Sequence, residues 1–161
     1  MRRRTLIAGA ALVGVAPFAS STARAEGETI LDKFAQTLGA HDLAAFGALF
    51  ADDYVNHQSS AAAPAPAPGI SPKAATVAFF GARLKGLPDL TVTIEARVVE
   101  GDRAAASFVY EGTHQGVYFG VAPTGKRLRF TSCDIFRIAD GRIAEHWGMG
   151  DIAGVLAQLK G

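Results

Sequence analysis

Two dipeptides, Gly101-Asp102 and Asp140-Gly141, each separate a pair of runs rich in strand-forming residues. Before the first, Val92, Ile94, Ala96 and Val98 alternate with Thr91, Thr93, Glu95 and Arg97. Period-two alternation is the mark of a half-buried strand, and a two-residue Gly/Asp break between such runs is a hairpin signal. The pattern predicts four strands, over 90–100, 103–113, 127–139 and 142–149. A loop carrying Gly116, Gly120, Pro123 and Gly125 joins the two hairpins. A chain with this second half must find a cover for one face of an antiparallel sheet.

The first half supplies the cover. Ile30, Leu31, Phe34 and Leu38 recur at helical spacing, and Gly39 is a stop. Asp42 caps a second helix with Leu43, Phe46, Leu49 and Phe50 as its stripe. Residues 53–57 read as a short extended piece, and Ser59–Pro68 is a loop of Ser, Ala and Pro only. Ser71-Pro72 opens a third helix, with cap and first-turn proline in order, that runs to Gly86. Asp151 caps a last short helix through Leu159. Helices first and a strand meander second make an α+β domain, with the helices on one face of a curved antiparallel sheet. The resulting cone has an apolar interior with an open mouth, the form of a small-molecule pocket.

The N-terminus is a separate unit. Arg2, Arg3 and Arg4 precede an apolar run from Leu6 to Ala16, and small residues follow to Ala23-Arg24-Ala25. This is the order of an export signal, and Arg3-Arg4-Thr5-Leu6-Ile7 fits the twin-arginine form, with an ordinary secretory signal as the alternative. The reading is a signal over 1–25, cleaved after Ala25, and one domain over 26–161 that is periplasmic or secreted. Cleavage removes four of the 16 basic residues and none of the 15 acids, leaving a net charge of −3. That charge gives no footprint for nucleic acid, and nothing after cleavage calls for stable membrane insertion. The single cysteine, Cys133, excludes a disulfide scaffold and reads as a buried small residue. No metal motif, phosphate loop, G-x-S-x-G or dinucleotide fingerprint is present.

Several short motifs occur in order: Asp53-Tyr54-Val55-Asn56-His57, Pro88-Asp89-Leu90, Gly112-Thr113-His114-Gln115-Gly116, Pro123-Thr124-Gly125-Lys126 and Asp140-Gly141-Arg142-Ile143-Ala144-Glu145-His146-Trp147. With Asp151 and Gln158-Leu159 they resemble the SnoaL-like polyketide cyclases, also called ester cyclases, of the NTF2-like superfamily. The resemblance runs from about Ile30 to Leu159. It implies the α+β cone, intramolecular aldol ring closure without metal or organic cofactor, an aspartate as acid and base, and sheet-to-sheet homodimers. Asp151 matches the position of that aspartate. His57 falls where the family often lines the cavity.

The last hairpin yields faces of its own. With Asp140-Gly141 as the turn, Ala139 lies opposite Arg142. Regular pairing then sets Phe136 opposite Glu145, Asp134 opposite Trp147, Ser132 opposite Met149 and Phe130 opposite Asp151. Opposite residues share a face. The aromatic face, with Phe130, Phe136, Trp147 and Met149, is expected inside, and Cys133, Ile135, Arg137 and His146 outside. Asp134 and Asp151 are then carboxylates among aromatics, and desolvation raises the pKa of such groups toward the range of acid–base work.

The candidate catalytic residues are therefore Asp151, which is also a helix cap, and Asp134. The candidate pocket is Tyr54, His57, His114, Phe130, Ser132, Trp147 and Met149. For His57 a loop-surface position is an equal reading, and for His114 a hydrogen bond that holds the Gly-rich loop is the simpler one. Glu145 reads as a peripheral salt-bridge partner, and His146 as a surface or subunit-interface residue. The functional expectation is a cofactor-independent cyclase, lyase or isomerase acting on a small carbonyl or polyketide-like compound. Its alternative is a non-catalytic binder of an apolar metabolite. A water-activating hydrolase of the same fold would want a denser polar cluster than these motifs hold.

Overall fold

The two turn dipeptides do what their chemistry requires. Gly101, Asp140 and Gly141 all adopt left-handed backbone, which glycine takes at no steric cost and aspartate tolerates. In the computed structural model, which describes residues 18–58 and 65–161, the elements run α1 (Phe18–Gly39), α2 (Leu43–Ala48), β1 (Phe50–Asn56), α3 (Pro72–Gly86), β2 (Thr91–Glu100), β3 (Arg103–Thr113), β4 (Arg127–Ala139), β5 (Arg142–Gly150) and α4 (Ile152–Lys160). The strands form one sheet in the order β1-β5-β4-β3-β2. Four are antiparallel as expected. The fifth, β1, joins the edge parallel to β5, so the sheet is mixed. The arginine pair, the apolar run and residues 59–64 of the Ala/Pro loop lie outside the described residues.

Helix starts follow the sequence signals. Asp42, Ser71 and Asp151 each accept a hydrogen bond from the backbone N–H three residues on. Helix α1 begins upstream of the expected cleavage point after Ala25, and from residue 21 on the first buried position is Gly27. A β-carbon there would stand 2.5 Å from Val99 Cγ1, so the glycine lets the helix close onto β2. Ile30, Leu31, Phe34, Ala35 and Leu38 continue the buried stripe. Phe34 lies at the centre of a ring cluster, 4.8–5.5 Å from Phe46, Phe80, Phe108 and Phe136. Five aromatic side chains from five elements hold the layers together, each worth about 1.5–3 kcal/mol of burial.

One residue breaks the hairpin regularity, and the site depends on it. Ala139 and Ile138 pair with Arg142 and Ile143 as expected, but Arg137 pairs with Glu145. Ala144 is the extra residue of a β-bulge, and both Ile143 and Ala144 are buried. Beyond it every side chain of β5 lies on the face opposite to the regular reading. His146 turns inward and is only 2% exposed, while Met149 turns outward and is 78% exposed. Trp147 pairs with Ile135 on the outer face, its ring stacked 4.4 Å from that of His57. The inward expectations for Trp147 and Met149, and the outward one for His146, are thus corrected. Asp134 lies opposite Gly148 and Ser132 opposite Gly150. Asp151 is not opposite Phe130: its backbone N–H donates to the Thr131 carbonyl. Cys133, expected to be buried, is exposed on the outer face.

Candidate active site

Strand β4 keeps strict alternation, so its inner face reads Ile138, Phe136, Asp134, Ser132, Phe130, Leu128 from the turn outward. Two polar residues sit in the middle of an apolar row. The neighbours of Asp134 across the sheet are small, Ala106 on β3 and Gly148 on β5, which leaves room for a carboxylate.

Asp134 is satisfied from two sides. Its Oδ1 lies 2.7 Å from His146 Nε2, and the Ser132 hydroxyl donates to its Oδ2 at 2.5 Å. The Ser132 proton being committed there, the Tyr110 hydroxyl 3.3 Å away serves as the donor to Ser132 Oγ. On the far side of the imidazole, Tyr54 Oη lies 3.1 Å from His146 Nδ1. A neutral ring with its proton on Nε2 fits both contacts, donating to Asp134 and accepting from Tyr54. Burial pushes both tyrosine hydroxyls, Tyr54 and Tyr110, well above their usual range, so both remain protonated donors. The result is a chain, Tyr54–His146–Asp134–Ser132–Tyr110, that crosses the interior over β1, β5, β4 and β3. All five residues are buried.

Arg83 of α3 lies in the same interior. Its guanidinium carbon is 4.4 Å from the Tyr110 ring centroid, 4.7 Å from Phe80, 5.2 Å from Phe130 and 5.3 Å from Phe79. Nε donates to the Tyr118 hydroxyl at 3.1 Å. Burial works against its charge, but Tyr118, Tyr110 and Asp134 outweigh burial and hold its pKa up.

The other sequence candidates are distributed around this chain. Phe130 stacks on Tyr110 at 5.1 Å and so belongs to the interior, as do Tyr54 and Ser132. His57 stands outside, its Nε2 2.7 Å from Glu145, which Arg137 also contacts; the two partners hold the Glu145 carboxyl below its usual range. Glu145 is thus the peripheral salt-bridge residue that its place near the turn implied. His114 is fully buried and bonds Thr124 through Nδ1, holding the 114–126 loop, while its Nε2 has no partner. Asp151 is exposed at the start of α4, with Oδ1 accepting from Gly154 N at 2.8 Å. A cleft of about 620 Å³ runs along the outer side of α3 between Leu43, Val77, Gly81 and Lys85, and none of the candidate residues lines it.

Sequence reasoning set His146 on the outer face and passed over Gly148, Tyr110 and Arg83. Tyr110 was accessible to it, since Tyr110 shares the inner parity of Phe108 on β3. His146 was hidden by the bulge. Arg83 sits on the buried stripe with Phe80 and Leu84, where a charged residue is the exception that marks a site.

A family model for SnoaL-like polyketide cyclases matches residues 28–159. The chain belongs to the SnoaL-like polyketide cyclase family. It is 34% identical over 84 residues to the nogalonic acid methyl ester cyclase of Streptomyces nogalater, a match spanning 48% of this chain and 63% of that relative. Among solved structures it is similar to IdmH of Streptomyces antibioticus, a candidate polyketide cyclase, at TM-score 0.71 and 30% identity, covering 83% of this chain and 97% of that one. AclR of Streptomyces galilaeus, a candidate hydroxylase, gives TM-score 0.72 and 26% identity, covering 84% and 82%. The SnoaL-like chains share the NTF2-like α+β architecture described above, and membership supports a cyclase role.

Proposed function

We propose that the protein closes a ring on a polyketide-like carbonyl compound by acid–base chemistry, with Asp134 as the base and His146 as its partner. The observation that carries this reading is the buried Asp134–His146 contact, buttressed by Tyr54 and Ser132, in a member of a cyclase family. Each Asp134 oxygen uses one lone-pair site on its neighbour and keeps another free. Asp134 takes a proton from the carbon next to a carbonyl, and the resulting enolate carbon attacks a second carbonyl of the same molecule. A carbon–carbon bond forms, the second carbonyl becomes an alkoxide, and Asp134 returns the proton to it. The product is an isomer of the substrate. His146 orients the carboxylate and shares its charge, while the two protonated tyrosines fix the ends of the chain.

Nogalonic acid methyl ester, named in that relative, and its free acid are the first compounds to try. Turnover is followed by mass spectrometry with the unmodified protein, Asp134→Asn and His146→Gln, each checked for fold by circular dichroism. An isomeric product and a loss of about 10²–10⁴-fold in kcat for Asp134→Asn are expected. Undiminished turnover in folded Asp134→Asn removes the carboxylate from the mechanism. A product heavier by one oxygen points to hydroxylation of the kind AclR is named for. Binding without conversion by the unmodified protein favours the non-catalytic alternative.

A further inference from the structure

Arg83 is a buried cation without an acid partner of its own. It is 4% exposed, one of the six buried polar or charged side chains among the described residues. Buried guanidinium groups are almost always paired with an acid, because an unpaired charge in a low-dielectric interior is costly. Asp134, the carboxylate of the same interior, is committed to His146 and Ser132. Arg83 bonds one neutral phenol through Nε, is ringed by four aromatic faces, and leaves Nη1 sealed from solvent with no hydrogen-bond partner.

The surroundings are built to keep this cation in place. Aromatic faces attract a guanidinium without neutralising it. Tyr118, which receives Nε, sits on the 114–126 loop, and that loop is anchored to the end of α3 by Gln115 and Gly116 N–H bonds to the Gly86 carbonyl. Gly86 has no side chain for a reason: a β-carbon there would stand 2.7 Å from Tyr118 Cβ. A Leu or Met at position 83 would fill the same volume without the cost of burying a charge, so packing does not account for the arginine. A planar fork of donors with an open arm matches a carboxylate, which it can hold through two parallel hydrogen bonds.

We infer that Arg83 anchors an anionic oxygen of the ligand, and that the compounds this protein takes are aromatic or polyketide-like acids rather than neutral esters. The ligand's carboxylate meets Arg83 and Tyr118 against the Phe79, Phe130 and Tyr110 rings. Its carbonyl end extends toward Asp134 and His146. The inference deepens the acid–base reading by naming the class of compound. It is tested by binding alone, so a failed turnover assay and a failed binding preference are separate results.

The probes are 1-hydroxy-2-naphthoate and its methyl ester, titrated calorimetrically into the full-length protein at neutral pH. The unmodified protein is expected to bind the free acid about tenfold or more tighter than the ester. In Arg83→Met the preference should collapse to about twofold or less, with the affinity for the ester retained. Arg83→Lys, which keeps the charge but loses the fork, should fall between. Equal affinities in the unmodified protein, no binding of either probe at millimolar concentration, or a preference that survives in Arg83→Met each overturn the assignment. Should Arg83→Met lose its near-ultraviolet dichroism, Arg83→Lys decides, and an unchanged preference in that variant also overturns it.

Discussion

A single methyl group added at Gly148 would reach the proposed acid–base pair. Its β-carbon would stand 2.5 Å from both Asp134 Oδ1 and His146 Nε2, so the contact between them must open to admit it. Gly148→Ala is expected to lower turnover about 10–100-fold and to cost about 1–3 kcal/mol of stability, as overpacked sites do. Parallel measurement of kcat and of chemical denaturation checks both. Asp151 poses the opposite case, because it matched the family's acid–base position yet stands exposed as the cap of α4. Asp151→Asn should be nearly silent in both assays, since asparagine caps as well as aspartate, and Asp151→Ala should cost about 1 kcal/mol without changing turnover. A large loss of turnover in Asp151→Asn would return that residue to the mechanism. At this scale Asp134 and Ser132 were legible because β4 alternates without a fault, and a polar pair on an apolar row is visible in any register. Arg83 was present in the sequence as a charge on a buried stripe, but only its missing partner gives it meaning.

Among the elements, the three caps at Asp42, Ser71 and Asp151 and the turn glycines announced most boundaries, because each satisfies a local demand of the backbone. Two features had no local signal. The parallel seat of β1 beside β5 depends on a partner at least ninety residues away. The bulge at Ala144 consists of an ordinary Ile-Ala pair that an unbroken strand would also accept. Long-range choices of this kind are settled by which side chains fill the core, and periodicity within one segment does not carry them. One tie between elements makes a pH prediction. Asp89, between α3 and β2, receives the Thr113 backbone N–H at 2.6 Å and the Thr113 hydroxyl at 2.7 Å, fastening the end of β3. These bonds hold its carboxyl below the ordinary 3.8. A depressed folded pKa adds stability above the unfolded value and loses it as pH falls through the folded one. Asp89→Asn should therefore melt below the unmodified protein at pH 7, by about 1 kcal/mol or less given the exposure of the group. The gap should close as pH falls below 3.8 and on through the depressed folded pKa, where both carry a neutral side chain. Thermal melts across that range are the check, and a gap that is independent of pH contradicts the argument.

For the whole molecule, the outer face of the sheet carries two adjacent rows across four strands, Val98–Ala105–Ile135–Trp147 and Ala96–Ser107–Cys133–Met149. Neither row holds a charge, and Val98, Ile135 and Met149 are 69%, 41% and 78% exposed. A neutral band of this breadth is more than a monomer usually leaves in water. We propose that a second copy lies on it, in the homodimer expected from the sequence, with Ile135 at its centre but without His146, which faces the other way. Light scattering at micromolar concentration should give twice the chain mass, and Ile135→Lys should halve it; a monomeric unmodified protein would rule the arrangement out. On the other side of the sheet, the polar chain divides the interior. The Phe34, Phe108 and Phe136 cluster lies on one side, Arg83, Tyr118 and Phe130 lie on the other, and Phe80 touches both. That partition gives mutation two separate currencies. Exchanges among the phenylalanines change how long the protein survives heating. Exchanges at Phe79 or Phe130, against Arg83, are expected to change what the protein prefers to hold. A lineage of such proteins can therefore drift in substrate while its melting behaviour stays put, because the two properties are written in different residues.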